Sequence, residues 1–280
     1  MAKQSTKEAE LESTAVAVKP TTALVSKLDM SALEMDAGKG SQNVTNDDTQ
    51  TPIISILQAN SPQCKKSDGK YIKGAEEGKL YNNVTNEIYD GETGITVVPC
   101  FFEKVYIEWK PNRGGFVAIH DAKTPLKNQT TLVMTADGKE VPTLPNGNNL
   151  IETNQHYVLV LKEDGSFEAA VLAMSSSALG ASRKLNTLMK QAKKQKPDGS
   201  FFNPATYTYQ YKLTTSARQN DKHSWAGWAV DGLGEVPNMG IYLAGRAFEE
   251  AVNSGAVKVK QEQVDAGPSM AGKSEDDIPY

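Results

Sequence analysis

From Gly94 to Lys110 the chain is dominated by β-branched and aromatic residues. A run of that length and type reads as one long strand. Pro111-Asn-Arg-Gly-Gly115 follows it with turn chemistry, and Phe116 to His120 reads as the returning partner of a hairpin. A strand this long commits the chain to a β-rich core, and the remaining segments can be read around it.

Order is expected to begin at Thr51-Pro-Ile-Ile-Ser-Ile-Leu57, a short β-branched run, followed by a loop from Lys65 to Lys79. Tyr81 to Tyr89 reads as a strand pair around Thr85-Asn86-Glu87. Residues 121–152, with Pro125, Pro142 and Pro145, read as a long insertion holding one weak strand at Thr131 to Thr135. A second hairpin runs from His156 to Lys162 and from Phe167 to Met174, around Glu163-Asp-Gly165. Ser175-Ser-Ser177 can cap a helix reaching about Lys194, with Leu179, Leu185, Leu188 and Met189 as its apolar positions. Pro197-Asp-Gly199 ends that helix. Tyr207 to Ala217 and Ser224 to Val230 read as strands, and Met239 to Asn253 as a final helix.

This order predicts a mainly β fold: an OB-fold-like five-stranded Greek-key barrel with insertions and a helix between strands three and four. Residues 1–50 lack aromatics and are rich in Ala, Ser, Thr, Lys and Asp, a composition that predicts disorder. The expected organisation is a disordered segment over 1–50, the β-rich domain over 51–254, and a flexible acidic tail over 255–280. No apolar run approaches the roughly 18 residues of a membrane span. Met1 to Glu12 is too polar for a secretory signal, which predicts a cytoplasmic protein. Cys64 and Cys100 are then expected to stay reduced.

The formal net charge is −4, but its distribution is uneven. Acids gather at the two ends, including Glu275, Asp276 and Asp277. Between Ser176 and Lys222 the positive charges Arg183, Lys184, Lys190, Lys193, Lys194, Lys196, Lys212, Arg218 and Lys222 face only Asp198 and Asp221. A basic middle can bind a polyanion through one face.

Single strands are held by aromatic stacking beside a basic groove. On the long strand, alternation places Val97, Phe101, Val105, Ile107 and Trp109 on one face, which reads as core. Phe102, Lys104, Tyr106 and Lys110 share the other face, where the rings either stack on bases or pack under the insertion. Tyr207, Tyr209 and Tyr211 recur at strand spacing near Lys212 and Arg218, as a stacking surface or as cross-strand packing. Trp225 and Trp228 fall on opposite faces, one in the core and one a candidate for binding. Arg183, Lys184, Lys190, Lys193 and Lys194 lie on the basic helix and its exit without acids at i±4, so they either contact phosphate or form a solvated face. Arg113 occupies the first hairpin loop, which borders the binding face in this fold.

Catalytic signals do not survive their context. Gly267-Pro-Ser-Met-Ala-Gly272-Lys273-Ser274 has the letters of a phosphate loop, but no strand precedes it and no helix fits after it. His120, His156 and His223 form no ligand motif, and Ser175 to Ser177 lacks a nucleophile-elbow frame. No enzyme activity, metal or cofactor is expected.

The last residues, Asp276-Asp277-Ile278-Pro279-Tyr280, resemble the acidic tip of bacterial single-stranded DNA-binding proteins, with Tyr280 where those end in phenylalanine. Ile56-Leu-Gln-Ala-Asn-Ser-Pro62, Thr96-Val-Val-Pro-Cys100, Tyr106-Ile-Glu-Trp109 and Ala173-Met-Ser-Ser-Ser177 are similar to segments of single-stranded DNA-binding proteins of tailed phages. The resemblance implies a role in phage DNA replication or recombination in the host cytoplasm. It also implies that Asp276, Asp277, Ile278, Pro279 and Tyr280 dock on replication or recombination proteins. A homo-oligomer is compatible with the sequence. The rival expectation is a phage structural or scaffold protein that binds no nucleic acid.

Overall fold

A computed structural model describes residues 29–45, 48–111, 114–135, 138–221, 223–257 and 259. Within the first fifty residues, helix α1 spans Met30–Met35, capped by Asp29, whose Oδ1 accepts from the Ser31 amide. The residues of α1 are good helix formers behind a capping aspartate. None of its residues is buried.

The remainder, from Thr45 onward, is mainly β. Its strands are β1 (Ile54–Ile56), β2 (Leu80–Asn82), β3 (Ile88–Tyr89), β4 (Ile95–Trp109), β5 (Phe116–Asp121), β6 (Thr131–Met134) and β7 (Glu140–Thr143). Next come β8 (Asn149–Leu161), β9 (Phe167–Ser175) and helix α2 (Leu179–Gln191). After α2 the chain forms β10 (Lys194–Gln195), β11 (Phe201–Phe202), β12 (Tyr209–Gln219), β13 (Ser224–Glu235) and helix α3 (Met239–Asn253). The insertion expected to carry one weak strand instead holds the β6–β7 hairpin, because Pro142 sits where β7 pairs only lightly with the rest of the sheet.

Every named strand pair is antiparallel, and the large sheet runs β13-β12-β4-β8-β7-β6, with β5 beside β4 and β9 beside β8. Strands β9, β8, β4, β12 and β13 thus lie side by side, with α2 between β9 and β12 in the chain. The expected closed barrel is not found: among the described residues β9 and β13 do not pair with each other. The segment before and including β1 lies between them instead. The Val171 amide donates to the Pro52 carbonyl at 2.8 Å, and Ile53 bridges Val171 in parallel. On the other side the Gln58 side chain behaves like a strand backbone. Its Nε2 donates to the Ala226 carbonyl at 2.8 Å, and the Ala226 amide donates to its Oε1 at 3.0 Å.

The register of β4 against β8 shifts between Pro99 and Phe101. A bulge moves later side chains to the opposite face. Val97 therefore packs with Val158, Leu172, Leu213 and Trp228 in the central core, whereas Phe101 packs with Tyr157, Val171 and Val252 toward α3. The sequence expectation of one continuous apolar face on this strand is corrected by that bulge. Leu185 of α2 completes the central core, while Ile241 of α3 closes a second cluster with Val98, Cys100 and Leu159. Cys64 and Cys100 are both free thiols. No helix among the described residues is long and apolar enough to cross a membrane.

Candidate nucleic-acid interface

The β4 set is only partly available. Phe102 is 37% exposed, and its ring lies 5.0 Å from that of His156, so it rests on the β8 surface rather than under the insertion. Lys104 pairs with Glu152 at 2.8 Å, and the Tyr106 hydroxyl reaches the same carboxylate at 3.5 Å. Lys110 is exposed just past the strand end. Arg113 lies outside the described residues, as do Asp276, Asp277, Ile278, Pro279 and Tyr280 of the tip.

Beneath Phe102 sits a buried polar group. His156 Nε2 and Asn154 Nδ2 both lie 2.8 Å from the Ser182 hydroxyl of α2. Among the described residues His156 Nδ1 and Asn154 Oδ1 have no hydrogen-bond partner. Burial penalises the imidazolium and pushes the His156 pKa down to about 4, so the ring is neutral at pH 7.

The three tyrosines do not form one exposed face. Tyr207 precedes the strand, in a 3-10 turn at Thr206–Thr208, and packs edge-on against Tyr242 of α3 with ring centroids 5.1 Å apart. Tyr209 lies at the fringe of the central core and donates its hydroxyl to the Lys193 carbonyl at 3.3 Å. Tyr211 is only 4% exposed and belongs to that core. Tyr209 and Tyr211 do share a face of β12, but that face packs on the central core; the extra residue of the register shift, Leu233, lies on β13. Of the tryptophans, Trp228 is buried in the core and Trp225 is half-buried on the other face.

The basic residues gather more coherently. Arg183, Lys184 and Lys190 are exposed on α2, whose inner side buries Ser182 and Leu185, and Lys193 and Lys194 are exposed just after it. Tertiary structure supplies acids that local sequence lacks: Lys184 reaches Asp231 at 3.4 Å and Lys194 reaches Glu235 at 2.7 Å. Both pairs are solvent-exposed and therefore weak, so neither strongly opposes a competing phosphate. Arg183, Lys190 and Lys193 make no ion pair among the described residues. Lys212 faces Asp231 in the β12–β13 register, and Arg218 is exposed near the end of β12.

The most exposed aromatic pair was not singled out in the sequence. Lys194–Gln195 and Phe201–Phe202 form a small hairpin in which Lys194 faces Phe202 and Gln195 faces Phe201. Phe201 is 63% exposed and Phe202 39%. Lys196 lies 5.9 Å from the centre of the Phe202 ring. Gly199, at φ +85°, closes the turn that Asp198 supports by accepting the Ser200 amide. Asp198-Gly199 between Lys-Gln and Phe-Phe was a legible hairpin signal, masked by its reading as a helix stop. Phe201 and Phe202, neighbours on one strand, point to opposite faces of the hairpin; the Phe202 ring lies beside Lys194 and Lys196, an arrangement that can stack on a flat ring while holding anionic groups.

A family model described as Pam3 phage gp34-like protein matches residues 19–258. No curated protein and no solved structure matches the chain significantly.

Proposed function

The chain belongs to the Pam3 phage gp34-like family, and from that premise we propose that it binds and protects single-stranded DNA, without strong sequence preference, during phage DNA replication or recombination. The observation that carries the reading is the exposed Phe201–Phe202 pair on a hairpin continuous with the basic face of α2. Stacking on such rings tolerates any base, and lysines along the backbone path release counterions from any sequence. The strand order β9-β8-β4-β12-β13, with a helix between β9 and β12, supports an OB-like reading in which Pro52 to Gln58 takes the place of the closing strand pair. The host cytoplasm is the corresponding location.

Replacing Lys190, Lys193 and Lys194 together with Gln should weaken oligo(dT) binding. It should also flatten the log–log salt dependence by roughly 0.7 per lost phosphate contact. An unchanged slope would mean that these lysines are only solvated.

The acidic tip is assigned to partner recruitment in the same proposal. A chain lacking residues 275–280 should bind oligo(dT) as tightly as the full chain, or more tightly at low salt, where a tethered polyanion competes best. It should no longer capture a replication or recombination protein in a pull-down. Loss of DNA affinity on truncation would count against this role.

The second reading, a phage structural or scaffold protein, is favoured by the apolar edge strand β6, where Leu132, Val133 and Met134 are all exposed. It predicts no salt-dependent affinity for oligo(dT).

A further inference from the structure

A cleft of about 640 Å³ opens between the end of β9 and the start of β13, walled by Ser175, Ser177, His223, Trp225 and Trp228. It adjoins a second hollow of about 340 Å³, where Lys184 of α2 and Arg218 of β12 join Trp225 and Trp228. Both volumes lie in the range of small-ligand pockets, roughly 300–1,000 Å³. Of the aromatic candidates, Trp225 and Trp228 line both hollows, whereas Phe102, Tyr106, Phe201 and Phe202 line neither.

The cleft has one aromatic wall and cations beside it. Trp225 and Arg218 face each other in the β12–β13 register. Arg218 lies across the strand over Gly227, and its Nη2 donates to the Trp228 carbonyl at 3.4 Å. A Cβ at position 227 would stand 2.8 Å from Arg218 Cγ and 3.3 Å from its Nε. Glycine inside a strand costs stability, and here its bare backbone is what lets the Arg218 side chain cross position 227 to reach the Trp228 carbonyl. On the opposite rim Ser176 holds φ +51°, a left-handed conformation uncommon outside glycine and one that clusters at ligand sites. Serine hydroxyls on one side, an indole face on another and a planar cation with five donors suit a base joined to a phosphate.

We propose that this cleft takes one nucleotide unit of the bound strand, with its base against Trp225 and its phosphate at Arg218 and Lys184. The inference rests on the single-stranded DNA reading and adds a site to it. The residues of α2 that line the second hollow, Gly180, Ala181 and Lys184, begin the same helix that ends at the Phe201–Phe202 hairpin. At 1.5 Å per residue, the basic helix would carry a strand about 17 Å from the cleft to the hairpin.

Trp109 and Trp228 are buried, so Trp225 is the indole best placed to report on a ligand. Titrating the full chain with oligo(dT) should quench its tryptophan emission. Trp225→Phe should abolish most of that quenching while keeping most of the affinity, and Trp225→Ala should lower affinity about tenfold. Arg218→Gln, a milder surface change, should flatten the salt dependence by about 0.7. Wild-type affinity, slope and quenching in all three variants would overturn the cleft and leave the hairpin reading standing. Absence of any oligo(dT) binding by the wild-type chain would sink both. Titration with dTMP separates the sources: quenching by dTMP and none by oligo(dT) would contradict a strand as the occupant.

Discussion

Phe201→Ala combined with Phe202→Ala is expected to weaken oligo(dT) binding by about a hundredfold while leaving the fold intact. Each ring that stacks on a base is worth about 1–3 kcal/mol, so two together reach roughly 2–6 kcal/mol. The rings stand on a two-residue strand at the molecular surface, exposed to 63% and 39%, so their removal opens no core cavity. Unfolding free energy should therefore change little, which separates the effect from misfolding. The Lys194–Glu235 pair should survive, and with it the electrostatic part of binding. The double variant should accordingly keep the wild-type salt slope at much lower affinity. Equilibrium titration checks both quantities; wild-type affinity in the folded double variant would remove the hairpin from the binding surface.

Acid should destabilise the protein through His156. The folded state holds this imidazole neutral down to about pH 4, against an ordinary value of 6.5. Above about pH 6.5 neither state binds the proton and the group contributes nothing to pH dependence. As pH falls from 6.5 to 4 the unfolded chain takes up a proton that the folded chain refuses, so stability declines with falling pH and levels off below 4. A difference of 2.5 between those values, at about 1.4 kcal/mol each, corresponds to about 3 kcal/mol. The loss should appear first where α2 rests on β8, because Ser182 is the partner that links them. Denaturant unfolding of the wild type and of His156→Gln at a series of pH values tests this. The variant should lose most of the dependence between pH 6.5 and 4, and an identical slope in both proteins would show that other groups carry it.

Much of the strand content was readable because it rests on local composition. The long β4, the β8–β9 hairpin, α2 and α3 all follow from residue type and period. What was not readable depended on tertiary context. One extra residue at Cys100 sends Val97 and Phe101 to different cores, and alternation alone places them on one face. The gap between β9 and β13 is filled by Pro52 and Ile53 against β9 and by the Gln58 side chain acting in place of backbone against β13, for which no periodic signal exists. Among the candidate binding residues, the basic helix was visible as a charge imbalance, whereas its partners Asp231 and Glu235 come from a distant strand. Tyr209 and Tyr211 share one face of β12 as spacing implies, yet spacing does not tell that this face packs on the central core, nor that Tyr207 lies in a turn before the strand. Phe201 and Phe202 were the reverse case, a hairpin short enough to be taken for the end of a helix.

The most direct test of single-stranded DNA binding is equilibrium titration of the full chain with oligo(dT) and with a duplex of equal length, each over a range of salt. Stacking on open rings requires unpaired bases, so the single strand should bind more tightly than the duplex, with an affinity that falls linearly in log–log form as salt rises. Failure of oligo(dT) to bind at low salt, or equal affinity for the duplex, would contradict it.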